Sequence, residues 1–256
     1  MRHQEPRLLV MRRRSVRHTY RTSMSFLILL SCLIVAGSVN AAFQSQAEHS
    51  GDVSANDAAP LFDQMLKHAL VAYVNGKHEQ AYVRLLPLAQ KNDVDAQYFL
   101  ATLYDGGHGV ELSPAMASYW YKRAAKLGHV NAQYNMGVAY ANGDGVRQSI
   151  IEAVRWWRMA AISGSINAQF NLGIMYLRGE GIRHDPTEAV RWWGKAAEQG
   201  DAAAQYNLGA LYASGEGVSR NVKVALSWWA RAAAQGFEQA IVALRVHQFP
   251  EQLSNP

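Results

Sequence analysis

Two side-chain types recur in this chain at a spacing that could support chemistry, an amide and an indole. Asn135, Asn171 and Asn207 stand 36 residues apart, and an amide offering both donor and acceptor can bond an extended peptide backbone. Trp120, Trp156, Trp192 and Trp228 keep the same interval; Trp157, Trp193 and Trp229 sit beside the last three, and Tyr121 takes the fourth place. A ladder of aromatic rings can stack on sugars or bases. The spacing assigns these rings to packing instead. Each residue of the Trp120 type lies three after an alanine (Ala117, Ala153, Ala189, Ala225) and four before another (Ala124, Ala160, Ala196, Ala232). Large and small residues alternating on one helical face are what interdigitating helices require. For the asparagines two readings stand: clamping a ligand's backbone, or bonding the neighbouring helix and fixing the stacking angle.

Reactive constellations are missing. Nine histidines are present, three of them (His3, His18, His49) upstream of the first expected helix, and none forms a His-x-x-x-His or HExxH spacing. Asp144, Glu180 and Glu216 each stand alone in a glycine-rich turn, far short of the six to eight oxygens calcium takes. No Ser-x-x-Lys, GxSxG or GxxxxGK[ST] segment occurs. The only cysteine, Cys32, lies in the leader described below. The sequence therefore offers no catalytic, cofactor-binding or metal-binding residues, and no cofactor is expected.

The elements that hold these side chains repeat with them. AQYNMGVAY (Ala132–Tyr140), AQFNLGIMY (Ala168–Tyr176) and AQYNLGALY (Ala204–Tyr212) follow an altered copy, AQYFLATLY (Ala96–Tyr104). Apolar or small residues at i, i+4, i+5 and i+8 make each an amphipathic helix, helix A. A glycine-rich loop ends it, and a second helix, B, starts at Ser113, Ser149, Asp185 or Asn221, all good N-caps. Pro114 and Pro186 fit the first helical position, and Glu152 and Glu188 predict capping boxes with Ser149 and Asp185. Helix B ends at Gly128, Gly164, Gly200 and Gly236 after a double alanine. Four full units are expected at 95–130, 131–166, 167–202 and 203–238. A degenerate helical pair at 61–94 precedes them, its second helix interrupted by Pro87, and a capping helix and tail at 239–256 follow.

The formal charge of +5 belongs to the leader. Seven of the 25 basic residues are arginines between Arg2 and Arg21, and removing everything before Ala42 leaves 18 basic against 19 acidic residues. Nucleic acid is not an expected partner. Arginines, an apolar run at Phe26–Ala36 and Val39-Asn40-Ala41 have the order of a secretory signal, 1–41, cleaved ahead of Ala42. An uncleaved membrane anchor and lipid attachment at Cys32 are the alternatives. Residues 42–60 read as a flexible linker.

The string AQYNLG-x-x-Y, then G-[DE]-G-[VI], then EAVRWW-x-x-AA-x-x-G, resembles the Sel1-like repeat, a relative of the tetratricopeptide repeat. The resemblance implies an all-α fold, an α/α superhelix (solenoid) of 36-residue helix pairs with atypical capping units, the 61–94 pair being TPR-like. It also implies an adaptor role, often in the bacterial periplasm. Phe99, Ala101 and His108 depart from the pattern in the first unit. Setting aside the positions that recur unchanged leaves a varied stripe on helix A. Phe99, Leu103, Asn135, Val138, Asn171, Ile174, Met175, Arg178, Asn207 and Leu211 are its candidate protein-binding residues. The expectation is an exported, non-enzymatic adaptor of a Gram-negative envelope that binds a protein or peptide partner in the helix A groove. A cell-envelope enzyme acting on peptidoglycan or β-lactams, a regulator of one, and an exported effector acting on a host protein are the alternatives.

Overall fold

The structure is a computed structural model that describes residues 55–248; the expected signal peptide and most of the expected linker lie outside the described residues. Among the described residues every regular element is an α-helix. They form two compact units, 55–129 and 130–248. The first holds α1 (Ala55–Val74), α2 (His78–Gln90), α3 (Val94–Gly106) and α4 (Pro114–Lys126). The second holds α5 (Val130–Asn142), α6 (Ile150–Ile162), α7 (Ile166–Arg178), α8 (Pro186–Glu198), α9 (Ala202–Ser214), α10 (Val222–Ala234) and α11 (Glu238–Gln248). Within each unit every helix packs on the next one along the chain. This is the all-α architecture of helix-pair repeats expected from the sequence.

Helix B begins where its chemistry dictates. The side chains of Ser113, Ser149, Asp185 and Asn221 accept from the backbone N–H groups of Met116, Glu152, Glu188 and Val224, satisfying donors that the first turn leaves open. The expected capping boxes are only half made. Glu152 and Glu188 turn to Arg155 and Arg191 on the same helix, because the cap residue's own N–H is already taken. Ser113, Ser149, Asp185 and Asn221 donate it to the carbonyls of Tyr104, Tyr140, Tyr176 and Tyr212, at 3.0, 2.8, 2.9 and 2.8 Å. Each loop is thus clamped across its base. Helix A has its own caps, which sequence reading passed over: Asp93, Ser165 and Asp201 accept from Ala96, Ala168 and Ala204.

At the amino-terminal end two details differ from expectation. α1 starts at Ala55, inside the stretch read as linker, where Ala58 and Ala59 favour helix. α2 runs through Pro87 to Gln90. The carbonyl that a proline displaces belongs to the residue four before it, here Val83, and both Val83 and Pro87 face solvent, so the freed carbonyl is not sealed in the core.

The tryptophans are structural. Trp120, Trp157, Trp192, Trp193 and Trp229 are buried and Trp156 and Trp228 half-buried. The flanking alanines are at most 2% exposed. The second indole of each pair lies on the helix A glycine of its own repeat. A Cβ at Gly137, Gly173 or Gly209 would come within 2.3, 2.3 and 2.5 Å of Trp157, Trp193 and Trp229. Trp193 and Trp229 also donate their indole N–H to the carbonyls of Phe170 and Tyr206, both at 3.0 Å. The first indole carries a cation on its outer face, Arg123 over Trp120, Lys195 over Trp192 and Arg231 over Trp228.

The amide that fastens one repeat to the next is a glutamine. Gln97, Gln169 and Gln205 are buried, and each donates from Nε2 to the carbonyl of an alanine in the last turn of the preceding helix: Ala89, Ala161 and Ala197, at 3.0, 3.1 and 3.0 Å. Gln169 and Gln205 accept in turn from Gln199 and Gln235 at the ends of α8 and α10. In the first repeat that place holds Leu127, 53% exposed, and the buried Gln97 Oε1 has no hydrogen-bond partner. Leu127→Gln should therefore raise stability by about 1 kcal/mol, read as an increased denaturation midpoint. A midpoint unchanged or lowered would show that the Gln97 oxygen gains nothing from the added amide.

Candidate functional site

The varied stripe of helix A divides into covered and open parts. Leu103, Ile174, Met175 and Leu211 are buried at 0, 3, 4 and 1% exposure. They belong to the packing, not to a surface, and the sequence reading of them as contact residues needs that correction. Variation was the misleading signal, because neighbouring helices vary together. In the first unit the Phe99 ring meets Tyr73 of α1 edge-on at 5.1 Å, and Thr102 donates to the Tyr73 hydroxyl at 3.1 Å. In the second, Ala210 of α9 shares a buried cluster with Ala240 and Ala243 of α11. A stripe that differs from repeat to repeat can still be interior when its cover differs too.

The asparagine ladder divides likewise. Asn171 and Asn207 are 4% and 0% exposed, so neither amide reaches a ligand. The bond to the neighbouring repeat falls to the glutamine two places earlier, whose recurrence in all four copies of the A-Q motif was the readable signal. Open to solvent are Asn135 and Val138, half-buried on α5, with Asn142 exposed at its end. Phe99 is half-buried on α3. Arg178 is exposed at the end of α7, its guanidinium 3.5 Å from the Glu180 carboxylate. Of the accessible stripe residues, Asn135, Val138 and Asn142 are the three that the structure brings together on one helix.

Titratable groups gather at ring stacks. His78 and His108 stack with centroids 5.0 Å apart; burial, and then the charge of His108, lower the His78 pKa. Tyr98 stacks on His129 at 4.2 Å, and burial pushes His129 down and the Tyr98 phenol up. Tyr104, desolvated and bonded to Tyr82 at 3.2 Å, is pushed up to about 12. Each of these groups is shifted toward its neutral form, as desolvation does, although Asp95 and a backbone hydrogen bond pull His129 the other way. Among the described residues no group of three or more His, Cys, Asp or Glu side chains could hold a metal ion, and no helix is long and apolar enough to cross a membrane.

The geometry has counterparts among known proteins. The family model for the Sel1 repeat matches residues 94–129, 130–165, 166–201 and 202–237. Each begins one residue ahead of the frame chosen on sequence grounds. The crystal structure of a Sel1 repeat protein from Oxalobacter formigenes is similar at 32% identity and a TM-score of 0.68, over 70% of this chain and 74% of that one. A protective antigen of uropathogenic Escherichia coli displaying an SLR fold is similar at 38% identity and a TM-score of 0.59. The match covers 60% of this chain but only 33% of the antigen. No curated protein matches. Four consecutive matches, over helix pairs built with the same loop glycines and helix B caps, settle the assignment: the chain belongs to the Sel1 repeat family.

Proposed function

We propose that the chain is an exported, non-enzymatic adaptor that binds a protein segment along the open part of its A helices. Sel1-repeat proteins generally mediate protein–protein interaction, and the family is typically one of non-enzymatic scaffolds. The observation that carries the reading is what remains once packing is assigned. The recurring indoles, alanines, glycines and glutamines are consumed in joining helices, and α5 is left with an amide and an apolar side chain at Asn135 and Val138 and a second, exposed amide at Asn142, which donates to Asp144 at 3.0 Å and keeps its oxygen for an incoming N–H. Amides bond an extended backbone and the apolar group seats a side chain, which is recognition chemistry without a reactive group. The arginine-rich, apolar leader supports export to the periplasm of a Gram-negative bacterium.

Asn135→Ala combined with Val138→Arg tests it. Crosslinking in the envelope fraction should lose the partner trapped by the wild-type chain, while helix content and thermal midpoint hold. Unchanged capture would discard the α5 surface. Arginine at Met175 or Leu211 would test the core instead, since burying an unpaired charge there unfolds the repeat.

A further inference from the structure

The outward face of α6 exposes large apolar side chains at three places where its sister helices do not, whereas α4 exposes Met116 and Tyr119 at others. Ile151, Met159 and Ile162 are 57, 44 and 71% exposed. The equivalent places 36 residues away are mostly polar or small: Ala115, Thr187 and Lys223 for Ile151; Arg123, Lys195 and Arg231 for Met159; Lys126, Glu198 and Ala234 for Ile162. Met159 in particular stands where the other three repeats hold a cation over the first indole. The three apolar side chains follow an i, i+8, i+11 spacing on one side of the helix, a stripe of roughly 16 Å at the rise of an α-helix. Arg155 and Arg158 lie within the same stripe, both exposed, and Arg147 is exposed in the loop just before the helix. The acid on α6, Glu152, is engaged by Arg155, and Arg158 meets the Tyr176 hydroxyl at 3.2 Å.

We propose that this face docks an acidic amphipathic helix of a partner protein, its apolar side chains on Ile151, Met159 and Ile162 and its carboxylates on Arg155 and Arg158. The sign of the charge selects the occupant. A second copy pairing face to face about a two-fold axis would set each arginine pair against its like. An anionic bilayer attracts arginines too, but it stabilises a helix that sinks 5–10 Å into the interface. The opposite side of α6, with Ala153, Trp157, Ala160 and Ala161, is locked in the core, so three apolar side chains are all it can offer. A helical segment three turns long, apolar on one side and acidic around it, matches both the length and the charge. The face shares no residue with the α5 surface, so the two readings fail separately.

The test uses the full chain and a fluorescein-labelled amphipathic helical peptide, leucine on one side and glutamate on the other, with a lysine-for-glutamate counterpart. The variant Ile151→Thr, Met159→Lys, Ile162→Glu installs the residues the third repeat already carries, so the fold holds, as circular dichroism checks. The acidic peptide should bind by fluorescence anisotropy and the lysine peptide should not. The triple variant should weaken binding by about tenfold or more, as loss of central apolar anchors does. Arg155→Glu with Arg158→Glu should reverse the preference. Any of four results overturns the proposal: no binding of the acidic peptide, equal binding of both peptides, acidic-peptide binding that survives the triple variant, or loss in that variant only of phosphatidylglycerol-vesicle binding or of dimers in sedimentation.

Discussion

Trp193→Ala should destabilise the second unit by about 3–5 kcal/mol. The indole is 1% exposed, lies against the backbone of Gly173 and donates to the Phe170 carbonyl at 3.0 Å. Truncation leaves a cavity between α7 and α8 and an intrahelical carbonyl short of its second donor. The glycine beneath it should be nearly as intolerant. Gly173→Ala improves helix propensity by close to 1 kcal/mol in isolation, yet its Cβ would fall 2.3 Å from the indole Nε1. Overpacking of that kind costs about 1–3 kcal/mol, so the net change should be a loss. The first repeat shows the compensated arrangement, with Ala101 in the glycine's place and Tyr121 in the indole's. Gly173→Ala plus Trp193→Tyr should then cost less than the sum of the single changes, with a coupling near 1 kcal/mol in a denaturant cycle. Strict additivity would show that the ring and the glycine do not constrain each other.

Gly217→Ala should be the most damaging single-methyl change in a loop. Its φ is +71°, and an added Cβ would lie 2.4 Å from the backbone carbon of Pro186 at the start of α8. Gly200 is the control: its φ is +95°, with no atom within 4 Å of the same Cβ position. Alanine at Gly200 should cost only the left-handed backbone penalty, about 1–2 kcal/mol. Alanine at Gly217 should cost at least about twice that, because backbone cannot move aside as a flexible side chain can. Equal melting shifts for the two variants would remove the close approach between the loop and α8 from the account.

What could be read beforehand was whatever depends on near neighbours in the chain. Ser113, Ser149, Asp185 and Asn221 are caps because of the residues that follow them, and the paired indoles are interior because alanines flank them at helical spacing. What escaped was set across helices. Gln169 reveals its work only when Ala161 and Gln199 are both in place around it. Leu103, Met175 and Leu211 looked available because they varied, whereas a side chain's accessibility is decided by the helix laid over it. The capping boxes failed for the same reason: the competing acceptor for Ser149 is the carbonyl of Tyr140, on another helix. Of the ten candidates in the stripe, the four that survive as surface were distinguishable in the sequence by nothing but their place in the array.

The bond from each cap residue to the carbonyl of the tyrosine nine places earlier carries an evolutionary corollary. Adding or removing one residue between the two partners opens the ring, leaves the cap N–H without its acceptor and shifts the next helix off its glycine. Exchange of a whole unit by unequal crossing-over leaves every such ring intact. A gene of this kind can therefore grow or shrink in steps of one repeat while resisting any smaller change in length, which makes duplication its accessible route to a longer recognition surface.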